Sequence, residues 1–256
     1  MGRVLILMFI IVESCEKGHF SDWWSAVSPC FKKRVLNETI DNPSLCEAEP
    51  SNAMKMKLVN SVDAFHQDVT QDLGLLNLAE EMHNDVPEDY KEYCPGDFSS
   101  LIIYLREVAT ITPPFINDAP SYNYLGVPIT TVLLCYLHTL TGRLFFANST
   151  VNNHMMAIVT NYGKLLQSED SLTVFNDLQY GWKSKCAKQL LNMDQFVYNK
   201  DDEFWGFRSF NEFFTRSLRD IKKNRPCDEN PYVLAAFGEV TLTYNQTEVE
   251  LNTPLL

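Results

Sequence analysis

Between residues 58 and 76, apolar side chains return at steps of three and four: Leu58, Val62, Phe65, Val69, Leu73 and Leu76. That spacing lays them along one stripe of an α-helix and fits no two-residue pleat, so the middle of the chain must fold by packing helices together. One amphipathic helix is predicted over 52–83, weakened near Gly74, with Pro87 closing it. Pro95-Gly96-Asp97 then opens a second helix carrying Phe98, Leu101, Ile102, Leu105 and Val108 on one face.

Thr112-Pro113-Pro114 breaks the chain, and 115–126, rich in Pro, Asn, Tyr and Gly, reads as a loop. Pro128 suits the first turn of a third helix, with Val132, Leu133, Tyr136, Leu137 and Leu140 buried and Gly142 ending it. A fourth helix fits 150–167 through Met155, Ile158, Val159, Tyr162 and Leu166. Residues 168–183 look irregular, and 184–193 fit a short helix. Residues 13–51 are mixed and punctuated by Pro29, Pro43 and Pro50, with Trp23 and Trp24 as anchors of a small core.

The character changes after residue 203. Ser209-x-x-Glu212 is a capping box, in which the hydroxyl accepts from the amide three residues on and the carboxylate reaches back. Phe210, Phe213, Phe214 and Leu218 follow as an apolar helical stripe. Beyond Pro231, residues 232–236 and 240–244 read as strands. Two or three strands are marginal in water unless they pack on something larger. The expected architecture is therefore mainly α: a helical N-terminal domain over 15–203, then the first strands of an incomplete, truncated α+β core over 204–256.

The 21 basic residues stand against 33 acidic ones, a net charge of −12 that repels phosphates and argues against a nucleic-acid partner. No apolar run approaches the ~20 residues of a membrane-spanning helix, so no transmembrane segment is expected. Arg3, the apolar run 4–12 and Ser14 resemble a short secretory signal over 1–14; a buried strand or helix, or a misplaced start, reads equally well. Cytoplasm and secretion both stay open. Three sequons begin at Asn37, Asn148 and Asn245 and are usable if the chain is secreted.

Cys15, Cys30, Cys46, Cys94, Cys135, Cys186 and Cys227 are scattered, with no C-x-x-C pair and no two histidines three to five residues apart. No metal site is assigned. The odd, unclustered set reads as reduced, partly buried thiols. No G-x-G-x-x-G or G-x-S-x-G occurs, and Gly163-Lys164 lacks the upstream glycine of a phosphate loop. His66, His83, His138 and His154 each fall in a predicted helix as surface or core residues, and Glu80-Glu81 and Asp201-Asp202 face water. No catalytic or cofactor-binding residue is assigned.

The stretch 204–225 carries Arg208, Arg216, Arg219, Lys222, Lys223 and Arg225 against Glu212 and Asp220, an excess of four positive charges. Such a patch suits an anionic headgroup or an acidic neighbouring domain, or is simply a solvated helix face. Phe207-Arg208-Ser209-Phe210-Asn211-Glu212-Phe213-Phe214-Thr215-Arg216-Ser217-Leu218, followed by Arg225-Pro226, resembles the signature of the phosphatidylserine decarboxylase family. Asn117-Asp118-Ala119-Pro120 and the helices to about 167 are similar to the N-terminal extension of its fungal L-tryptophan decarboxylase-like branch, the psilocybin-pathway type. The resemblance covers roughly 115–250.

The resemblance implies a pyruvoyl-dependent decarboxylase. A downstream serine in Gly-Ser-Ser or Leu-Gly-Ser-Thr breaks the chain and becomes a pyruvoyl group, whose ketone condenses with the substrate amine and draws off electrons as carbon dioxide leaves. Neither motif occurs in these 256 residues, and no counterpart of the catalytic His is assigned. Phe237 stands where many relatives place an Asp, a change that fits the tryptophan branch better than the phospholipid branch. The chain itself thus carries no cofactor. A C-terminal pyruvoyl half is the implied partner, and an aromatic amino acid or phosphatidylserine is a substrate only with it. Of the family-motif residues Phe210, Asn211, Phe213, Phe214, Thr215, Arg216, Arg225 and Pro226, the phenylalanines are expected to wedge the helical body against the β core. Arg216 is expected to pair with a carboxylate of that core. The alternative is a catalytically dead, secreted helical binding module.

Overall fold

A computed structural model describes residues 53–91, 94–118, 123–125, 133, 135–178 and 181–226. The signal-like segment, Trp23, Trp24, the sequons at Asn37 and Asn245, Phe237 and the expected strands at 232–236 and 240–244 lie outside them. Two compact units divide the chain, Met1–Ser217 and Leu218–Leu256. The described part of the first is mainly helical: α1 Ala53–Gln71, α2 Leu73–Asn84, α3 Glu88–Lys91, α4 Phe98–Val108, α5 Leu140–Ala147, α6 Ser149–Leu166, α7 Lys185–Leu191 and α8 Phe210–Phe214. Short 3-10 turns cover Glu169–Val174 and Met193–Gln195. In the second unit, α9, Ile221–Asn224, starts where Asp220 Oδ1 accepts from the Lys223 amide at 2.9 Å.

The apolar stripe does drive the first core, since Leu58, Val62, Phe65 and Val69 are all fully buried on α1. They meet Phe98, Leu101 and Leu105 of α4, Phe145 of α5, and Val151, Ile158 and Leu165 of α6. Phe65 stands edge-on to Phe98 at 5.7 Å and tilts against Phe145 at 6.2 Å, geometries that suit the aromatic quadrupole. Polar links tie the same helices at their rims: Asn161 donates to Ser61 at 2.8 Å, and Arg106 pairs with Asp63 at 3.2 Å.

The single helix expected over 52–83 is two. Asp72 leaves helical geometry, and its Oδ1 accepts from the amides of Gly74 at 2.9 Å and Leu75 at 3.1 Å, capping α2 as α1 stops. A short carboxylate that satisfies free helix-end amides competes with helix continuation. Leu73 is consequently 74% exposed, and Leu75 takes the buried position instead.

The third helix departs from expectation in the same way. Residues 135–137 are helical, but Thr139 breaks the run. Its hydroxyl donates to the Tyr136 carbonyl at 2.8 Å and accepts from the Gly142 amide at 2.9 Å, starting α5. Gly142 therefore opens a helix instead of ending one. It packs so tightly on the end of the preceding turn that a Cβ there would run into the Tyr136 carbonyl. Tyr136 is fully buried as predicted, whereas Leu137 and Leu140 are exposed. On α6, Val159 also faces out while Leu165 is buried. Asn148 joins α5 to α6, its Oδ1 accepting from the Thr150 amide at 2.9 Å.

Residues 115–126 are not wholly loop: β1, Phe115–Asp118, and β2, Asn123–Leu125, form an antiparallel ribbon with Phe115 opposite Leu125. Phe115 is buried edge-on to Trp182 at 5.6 Å, so a core contact orders what its composition marks as irregular.

Nor are the described cysteines reduced thiols. Cys94 and Cys135 form a disulfide across 41 residues, with Cα atoms 5.9 Å apart, and Cys186 is disulfide-bonded as well. Beside the first bridge, the Pro95 carbonyl accepts from the Tyr136 hydroxyl at 2.9 Å and from His83 Nδ1 at 2.9 Å. A carbonyl only accepts, so the His83 proton sits on Nδ1. The His83 ring is edge-on to Tyr136 at 4.8 Å, and its buried Nε2 has no hydrogen-bond partner among the described residues. Burial lowers the His83 pKa, against the opposing pull of the Pro95 carbonyl, Glu80 and Asp97.

Candidate functional site: the phenylalanine-rich motif

The motif residues sit on a second aromatic core. Phe207, Phe210 and Phe213 are buried with Phe115, Leu172, Phe175, Trp182 and Trp205. Phe213 meets Phe175 edge-on at 4.9 Å and Trp182 at 5.1 Å, and Phe210 meets Trp182 at 5.7 Å. Ser209 starts α8 by accepting from the Glu212 amide at 3.2 Å. The reciprocal arm reaches one residue further back than a capping box predicts: Glu212 accepts from the Arg208 amide at 2.7 Å, a bond that holds its carboxyl below the usual range. The Phe210 amide donates to the buried Ser171 hydroxyl at 2.8 Å, which fixes the motif to the 3-10 turn before Phe175.

α8 is only five residues long. Phe214 is 58% exposed and stacks beside Phe210 at 6.4 Å, and Leu218 lies beyond the helix, so the expected four-residue stripe contracts to Phe210 and Phe213. Asn211 and Thr215 are exposed, joined by the Thr215 hydroxyl donating to the Asn211 carbonyl at 2.8 Å. Arg216 pairs with no carboxylate among the described residues. Its guanidinium lies over Phe196 at 4.2 Å and Phe213 at 4.7 Å, and donates to the Phe213 carbonyl at 3.1 Å. The Nε of Arg216 is buried without a hydrogen-bond partner among the described residues, and burial lowers the pKa of Arg216. In the second unit, Arg225 donates to the Asn224 carbonyl at 2.6 Å, and Pro226 is exposed.

Sequence reasoning missed the residues that receive the motif. Trp182 anchors the cluster by donating to the Pro113 carbonyl at 2.9 Å across 69 residues, and Phe175 is its aromatic hub. Both fall in 168–183, which carries no periodicity to mark them. Next to this cluster a cavity of about 630 Å³ is lined by Lys183, Lys188, Asn192, Asp194, Tyr198 and Trp205, among others. Two of its cations are engaged: Lys183 donates to the Glu203 carbonyl at 2.8 Å, and Lys188 pairs with Asp177 at 3.1 Å. Trp205 takes a φ of 57° and Gly206 one of 80°. A bulky residue in that left-handed region is held by its surroundings: Trp205 is buried, and its backbone bonds Asn199 and Asp202 at 2.9 and 3.1 Å.

The histidines are dispersed. His154 pairs with Asp68 at 2.8 Å, linking α6 to α1 at the surface, and His66 packs by Phe98 at 5.9 Å. Among the described residues, no three or more His, Cys, Asp or Glu side chains gather as a metal set, and no helix is long and apolar enough to cross a membrane. The motif region seats a capped turn of phenylalanines on an aromatic core and places an arginine over two rings.

The phosphatidylserine decarboxylase model matches residues 59–191, just over half of the chain, and the chain belongs to that family. The match opens inside α1 and ends with α7, so it rests on the helical body and begins well before the 115–250 expected from the motif. An L-tryptophan decarboxylase of Psilocybe cyanescens is 27% identical over 224 residues, covering 69% of this chain and 50% of that protein. An L-tryptophan decarboxylase of Psilocybe cubensis is 25% identical over 177 residues, covering 63% of this chain and 37% of its own length. The chain thus spans half or less of the curated relatives it matches.

Proposed function

We propose that these 256 residues are the N-terminal part of a pyruvoyl-dependent decarboxylase acting on an aromatic amino acid such as L-tryptophan, with phosphatidylserine as the other candidate substrate. The observation that carries this reading is the match over 59–191, joined by two relatives that are both L-tryptophan decarboxylases. The residues present do not fit the pyruvoyl group itself. It has to be made from a serine in Gly-Ser-Ser or Leu-Gly-Ser-Thr, and no glycine here is followed by serine. The chain by itself is therefore inactive. Residues from 204 onward begin the decarboxylase core, and a C-terminal pyruvoyl half is the partner.

The test is the intact mass of the protein from its natural source, with and without hydroxylamine, which traps a pyruvoyl ketone. A longer product, or two fragments with the smaller one gaining the adduct, bears the reading out. A single species at 29.4 kDa without adduct overturns it. That second result favours a catalytically dead, secreted helical binding module, a reading that draws its support from the Cys94–Cys135 bridge.

A further inference from the structure

We propose that Asn148 carries an N-linked glycan, and that the chain folds in an oxidising secretory compartment. Two independent observations meet here, and neither depends on the decarboxylase reading.

The first is the geometry of Asn148-Ser149-Thr150. The acceptor sits at the elbow between α5 and α6, part-exposed, with Ser149 and Thr150 exposed beside it. Its amide has two ends with separate tasks. Oδ1 accepts from the Thr150 amide at 2.9 Å and the Val151 amide at 3.5 Å, capping α6, while Nδ2 makes no hydrogen bond among the described residues. N-glycosylation joins the sugar to Nδ2 and leaves the carbonyl oxygen intact, so the cap and the glycan are compatible on one side chain. In the transfer, a bond forms between Nδ2 and the anomeric carbon of the first sugar. The bond from that carbon to the pyrophosphate oxygen of a lipid-linked oligosaccharide breaks, and the proton lost from Nδ2 leaves with the departing phosphate.

The second observation is the redox state. All three described cysteines, Cys94, Cys135 and Cys186, are disulfide-bonded. Structural disulfides persist in secretory and extracellular compartments and are rare where glutathione keeps thiols reduced. Oligosaccharide transfer takes place in that same oxidising setting.

The experiment expresses the full 256-residue chain in yeast and digests the recovered protein with peptide-N-glycosidase in oxygen-18 water, followed by a non-reducing peptide map. The expected result is oxygen-18 at position 148, a linked Cys94–Cys135 peptide, and loss of one glycan in Thr150→Ala with unchanged helical circular dichroism. Thr150→Ser keeps the sequon and retains the glycan, which separates loss of the acceptor from misfolding. An unlabelled Asn148 in the wild-type chain, Cys94 and Cys135 recovered as free thiols, or a chain left unmodified in the cytosol would each overturn the proposal.

Discussion

Gly142 has no room for a side chain, because a Cβ there meets the backbone carbonyl of Tyr136 and not the movable end of a neighbour. Gly142→Ala is expected to cost about 1–3 kcal/mol, read as a lower denaturation midpoint at unchanged slope. His83 acts at the same scale through protonation. Its pKa is lowered from 6.5, chiefly by burial, and the Pro95 carbonyl, Glu80 and Asp97 offset this only partly. The unfolded chain therefore binds the proton more readily, so this contribution to stability is full above about pH 6.5 and is lost as pH falls through the lower folded value. His83→Gln should flatten the stability profile between pH 7 and 5 relative to wild type. An unchanged slope would assign that pH dependence to other groups.

Among elements, the bridge from Cys94 to Cys135 ties the entry to α4 to the helical turn before α5, closing a loop of 41 residues. A loop of that length is worth about 4 kcal/mol on the chain-entropy account. Cys94→Ser with Cys135→Ser should lower the thermal midpoint markedly, and dithiothreitol should lower the wild-type midpoint by at least as much, since it also reaches the Cys186 bridge. This element also marks where legibility ended. The stripes of α1 and α4 were readable because burial and helical period coincide along many residues. Asp72 and Thr139 were not, since each breaks a periodic run through a single side-chain oxygen that out-competes the next turn. The pairing of Cys94 with Cys135 depends on which helices meet, which spacing does not encode. Phe210 and Phe213 are buried, but against Phe175 and Trp182, which come from a stretch without period, and the β core they are expected to meet lies outside the described residues. The stripe of α8 is shorter than its spacing suggests because tertiary contacts bury Phe210 and Phe213 and leave Phe214 outside.

At the scale of the whole first unit, two hydrophobic clusters share Leu166 among their partly buried members and are otherwise built from different side chains. Ile158→Val in the first and Phe213→Leu in the second should each cost about 1 kcal/mol, and the double variant should match their sum within about 0.5 kcal/mol. A larger deviation, measured by denaturant titration, would mean that the clusters cooperate as one core. The pairing of α1 with α6 has a further consequence for the living cell. The rings against Phe65 include Phe145 and, on α6, His154, and Asn161 bonds Ser61 across 100 residues. At roughly 5–20 residues per second on the ribosome, α1 waits on the order of ten seconds before α6 is made. Throughout that interval a nascent chain shows its stripe of Leu58, Val62, Phe65 and Val69 to the cell, a ready binding site for chaperones that guard translation.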